Sequence, residues 1–193
     1  MTGERDRPDE DASAGPETSQ PGADETADTA DAGVPRAAVV VTDVPEAGVG
    51  HPVLRRLYAY WEGKRGERLM PARSDLDPLE IPSLLRHLIL LDVTHDPLRF
   101  RVRLYGTEVA DLRGRDLTGR YLYEGAATSI GETTRPWNLA TVKTRRPHYV
   151  TGPYEDISDG RIGTFYRLGL PLSEAGERVD MLMIGLVREW EAD

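Results

Sequence analysis

The sequence predicts an α+β fold: a five-stranded antiparallel sheet with helices on one face, preceded by an N-terminal amphipathic helix. Three observations carry that reading. Apolar residues recur at helical spacing early in the chain and again in its middle, five other segments run apolar or alternate at strand length, and Gly, Pro and Asp clusters separate the strands. Two strands, a helical crossing and three more strands set the order.

The elements can be justified one by one. Pro52 suits the first turn of a helix, where its missing N–H has no partner to lose. Leu54, Leu57, Tyr58 and Trp61 then form one apolar stripe that ends near Gly63. Such a stripe packs on its own sheet or on a second copy, and the dimer reading takes these four residues as the interface. At residues 74–80, Asp77 can cap, Pro78 fits the first helical position and Glu80 can reach back to complete a capping box. Pro82 splits the next segment into short turns. Residues 87–93 form an apolar run of strand length, residues 94–97 supply turn chemistry, and residues 100–105 alternate so that Phe100, Val102 and Leu104 face a core. That is a β-hairpin.

Residues 107–113 suggest one or two helical turns ended by Gly114, and residues 116–120 a loop. A longer helix is expected over about 130–143, with Trp137, Leu139, Ala140 and Val142, stopping before Pro147. Three strands close the domain at about 148–154, 164–172 and 178–190, with turns at Asp159-Gly160 and at residues 174–177.

Charge divides the chain. Of its 193 residues, the first 50 hold 12 Asp and Glu against Arg5, Arg7 and Arg36, whereas the rest hold 21 charges of each sign. Up to Gly33 there is no aromatic residue, and Val34 is the first β-branched aliphatic. Ordering a backbone costs about 1 to 2 kcal/mol per residue, and such a segment buries too little apolar surface to offset it. Residues 1–48 are therefore expected to be an acidic disordered tail and residues 51–193 one domain. The apolar cluster at 37–41 could add a strand or anchor the chain. No segment approaches the roughly 20 apolar residues of a membrane span, and no signal peptide is apparent, so the protein is expected to be cytoplasmic. A neutral domain behind a repelling tail also argues against nucleic acid.

Specific residues carry a resemblance. The run 68–78 (Arg68-Leu69-Met70-Pro71-Ala72-Arg73-Ser74-Asp75-Leu76-Asp77-Pro78), then Leu85, Leu91-Asp92-Val93, residues 100–107 and residues 114–120, resembles a group of small bacterial PAS-like proteins. The likeness covers about 51–190 and is densest over 61–122. It implies a PAS-like sheet, and a sensory or interaction module acting in signal transduction.

Many PAS domains hold a ligand between sheet and helices, which the residues can test. The chain has no cysteine, so adduct-forming flavin and a thioester-linked chromophore are disfavoured; residues 130–143 lack histidine, so haem is disfavoured too. No cofactor is predicted, and non-covalent flavin or a small organic ligand remains compatible. His51, His87, His95 and His148 are scattered and read as surface or capping residues rather than metal ligands. A ligand pocket would draw on Arg103, Tyr105, Thr107, Trp137, Tyr149, Tyr166, Arg167 and Met183. Asp75 and Asp77 read as turn and cap residues, and no catalytic residue is assigned. The expected function is a stand-alone, non-enzymatic module, dimeric and passing its signal to a separate protein partner. A small-molecule receptor is the alternative, and an enzyme on the same fold a distant third.

Overall fold

A computed structural model describes residues 34–35, 39–42, 44, 48–124, 128–156 and 160–191. Most of the expected tail over 1–48 lies outside them, as does Asp159 of one expected turn. The strands are β1 (Val34–Pro35), β2 (Val39–Thr42), β3 (Leu88–His95), β4 (Leu98–Tyr105), β5 (His148–Glu155), β6 (Ile162–Leu172) and β7 (Met181–Trp190). The helices are α1 (Pro52–Arg65), α2 (Thr107–Arg113) and α3 (Thr128–Thr144).

The five expected strands make one antiparallel sheet in the order β5-β6-β7-β3-β4. The described part of the cluster at 37–41 adds a strand: β2 pairs with β5 from Val39↔Thr151 to Thr42↔His148, and β1 pairs farther along the same edge. At the opposite edge, the loop after α2 covers β4. There the N–H of Val102 donates to Arg120, and those of Gly119 and Leu122 donate to Val102 and Phe100. Both edges of the sheet are thus occupied.

The two faces carry different helices. On one lie α2 and α3, with Leu91, Val93, Phe100, Val102 and Leu182 buried on that side. On the other lies α1, whose start is capped by His51 Nδ1 accepting the N–H of Val53 at 3.2 Å. Leu54 and Leu57 press onto β7 at Gly185, where an added Cβ would come within 2.5 Å of Leu54 and 2.7 Å of Leu57. Trp61 Nε1 donates to the Pro171 carbonyl at 2.9 Å in the interior. The stripe therefore closes its own domain. Leu54, Leu57 and Trp61, three of the four residues expected at a dimer interface, are instead buried against their own sheet, whose face needed covering, and Tyr58 is half-buried beside them.

Local chemistry adjusts two further expectations. A bulge between Leu90 and Leu91 sets Leu104 opposite Leu90, on the α1 side with Met183, while Phe100 and Val102 stay on the α3 side. Asp77 does cap, accepting the Leu79 N–H at 2.9 Å, but only a single 3-10 turn forms over Pro78–Glu80, and Glu80 pairs with Lys64 at 2.7 Å instead of closing a capping box.

Candidate ligand site

Strand β6 alternates, so Phe165, Arg167 and Gly169 share the face that α3 crosses. Helix α3 presents Trp137, Asn138 and Thr141 to it. Trp137 stacks on Phe165, with ring centroids 5.8 Å apart and planes 19° from parallel. Thr141 Oγ1 donates to the Trp137 carbonyl at 3.0 Å. A Cβ on Gly169 would lie 3.1 Å from that hydroxyl and 3.3 Å from Arg167 Nη1, so the missing side chain is what lets helix and guanidinium settle close to the strand.

Arg167 is only 4% exposed. Its Nη2 donates to Asn138 Oδ1, and the guanidinium carbon lies 5.6 Å from the centroid of Trp137. Asn138, 1% exposed, spends its own N–H on the Tyr123 hydroxyl at 2.6 Å. A polar chain therefore runs from Tyr123 through Asn138 to Arg167. Arg167 Nη1 has no hydrogen-bond partner, and no ion pair with a carboxylate reaches this guanidinium among the described residues. Burial lowers the Arg167 pKa to about 10, with the Tyr123 phenol pulling weakly the other way. Burial also raises the Tyr123 phenol, against hydrogen bonds from Thr134 and Asn138 and the nearby Arg167 charge.

Beside Tyr123 the surface dips into a recess of about 120 Å³. Phe100, Leu122, Tyr123 and Leu139 form much of its wall, and Arg99, Glu124 and Arg135 its polar groups. Tyr123 meets Phe100 edge-on at 5.8 Å, and Arg135 lies 5.6 Å over the Tyr123 ring. Arg99 and Glu124 form a two-pronged pair with both contacts at 2.6 Å. Tyr123 itself has φ 68, a left-handed conformation that is strained for an aromatic residue.

Of the eight residues expected to line one pocket, the structure joins Trp137 and Arg167. Tyr149, Tyr166 and Met183 lie on the other face of the sheet, under α1. Tyr166 meets the His51 ring at 5.2 Å there and donates to Glu189 at 3.0 Å. Arg103 is exposed and pairs with Asp92 at 2.7 Å, Tyr105 is half-buried at the end of β4, and Thr107 opens α2 exposed. A strand's two-residue period explains the split, because Tyr166 and Arg167 are neighbours in sequence and opposites in space. Asn138 and Tyr123 escaped the sequence reading. An asparagine inside the apolar stripe of α3 was a signal of a buried polar partner, whereas Tyr123 sits in a loop with no periodicity.

The histidines depart from a surface role in part. His51 caps α1 as expected, yet His51 and His148 are both buried, and His95 Nε2 lies 2.8 Å from the Val179 carbonyl. Among the described residues, no group of three or more His, Asp and Glu is placed to hold a metal, and no helix is long and apolar enough to cross a membrane.

Comparison with known families places these elements. Residues 49–135 match the family model of the PAS domain, a span that takes in α1, β3, β4, α2 and the first part of α3. The last three strands lie beyond it and complete the sheet. Neither the curated proteins nor the solved structures gave a match.

Proposed function

Taking the PAS domain matched over residues 49–135 as premise, we propose that this protein is a non-enzymatic sensory and interaction module that acts inside the cell. The observation that carries the reading is the Tyr123–Asn138–Arg167 chain beneath α3, opening beside a recess on the helical face. A buried cation whose partners are one amide and the Trp137 ring is costly, and a ligand that satisfied it would change how firmly α3 seats on the sheet. That favours the receptor form of the module, with occupancy beneath α3 as the signal. The signal passes by contact with a separate protein or a second copy. Since the apolar stripe of α1 is buried, that contact uses the outer surface of the domain.

Native mass spectrometry and an absorbance scan of freshly purified protein test the receptor form, followed by thermal shift across a metabolite panel. A bound mass, or a saturable shift accompanied by altered hydrogen exchange in α3, supports it. A clean mass and a flat panel leave a pure interaction module. Turnover of any panel compound would overturn the non-enzymatic assignment.

A further inference from the structure

The receptor reading leaves the ligand's chemistry open, and the buried end of the site narrows it. We propose that Arg167 receives the carboxylate of a small organic acid, a monoanion with an apolar body, that enters through the recess beside Tyr123. The inference rests on the receptor reading and adds a ligand class to it.

Three features converge. Arg167 is buried with one carboxamide partner and one guanidinium nitrogen that bonds to nothing, so its charge lacks a counterion among the described residues. A guanidinium fits a carboxylate through two parallel N–H donors, and the charge-assisted bonds would replace one neutral bond. The surroundings match the rest of such a ligand: Trp137, itself stacked on Phe165, lies over the cation, and Phe100, Leu122 and Leu139 line the recess beside Tyr123. Finally, the polar groups of the recess are two arginines against one glutamate, and Glu124 is already engaged by Arg99, which leaves Arg135 to favour an anion. One buried positive charge balances a monoanion. A phosphate carrying nearly two negative charges would remain under-neutralised there.

Tyr123 stands between recess and cation. Its hydroxyl accepts from Asn138, and its backbone is held in a left-handed conformation. Strain of this kind persists where neighbouring contacts over-determine it. An incoming carboxylate takes the place of Asn138 Oδ1 on Arg167, and the freed Asn138 and Tyr123 can each donate to the same oxygens.

Benzoate and butyrate are the probes, with benzamide and inorganic phosphate as comparisons, read by calorimetry and thermal shift on the full chain. The wild type is expected to bind a carboxylate saturably and to ignore benzamide. Asn138→Asp places a carboxylate on Arg167 permanently, so it should melt higher than wild type and lose probe affinity roughly tenfold or more. Arg167→Met should lose the same response, and Arg103→Met, on the exposed outer strand, should keep it. Should Arg167→Met fold poorly, Asn138→Asp alone decides. No saturable response to either carboxylate, equal binding of benzamide, or full binding by Asn138→Asp overturns the proposal. Benzamide or phosphate binding with no carboxylate preference would sink the ligand class and spare the receptor reading. A flat response to all four probes, with a flat metabolite panel, sinks both.

Discussion

Asp75 accepts the backbone N–H of Ala72 and the guanidinium of Arg68, each at 2.7 Å. Those two donors hold its carboxyl below the ordinary value of 3.8, the backbone bond first and Arg68 second. A depressed folded-state pKa stabilises the fold above the unfolded value, and the contribution is lost as pH falls through the folded value. Urea midpoints of wild type and Asp75→Asn should therefore differ at pH 7 and converge as pH drops below 3.8. A difference that persists in acid would mean that the hydrogen bond survives without the charge. The sequence showed Asp75 as a turn residue and Asp77 as a cap, because both bond within a few positions. Arg167 was also named from sequence, yet its partner Asn138 is 29 residues away. Local capping is legible in sequence; a meeting of strand and helix is not.

At the level of elements, the strands and helices were largely readable because hydrophobic period and turn residues act locally. What periodicity could not supply was the choice of cover for α1, since an apolar stripe fits its own sheet or a neighbour equally well. Gly185 and the Trp61 bond to Pro171 decide it. Leu57→Asp buries an unpaired charge and should cost about 3 to 5 kcal/mol, seen as loss of cooperative unfolding rather than as a folded monomer. Gly185→Ala should cost about 1 to 3 kcal/mol by forcing Leu54 and Leu57 aside, read from denaturant midpoints. A folded Leu57→Asp chain of wild-type stability would return the stripe to an intermolecular role. Likewise the bulge at Leu90 and Leu91 was silent in the sequence, because one extra residue leaves alternation intact on either side.

For the whole molecule, the sheet edges matter most. β2 lies on β5, and the segment 119–122 lies on β4. A chain starting at residue 34 should keep the wild-type melting temperature, whereas one starting at residue 44 bares the outer edge of β5. The shorter chain should then self-associate with rising concentration in sedimentation velocity. Equal sedimentation of the two would show that β2 is not what protects that edge.

The pairing of β1 with β5 also fixes where the acidic N-terminal sequence joins the sheet, at Val34. β1 and β4 are opposite margins of the sheet, so five inter-strand spacings of about 4.8 Å separate Val34 from the hollow beside Phe100. Ionic screening at physiological salt acts over about 8 Å. An anion approaching the far margin would thus be largely shielded from repulsion originating at the tail's root, and increasing salt should alter its association rate only slightly on that account.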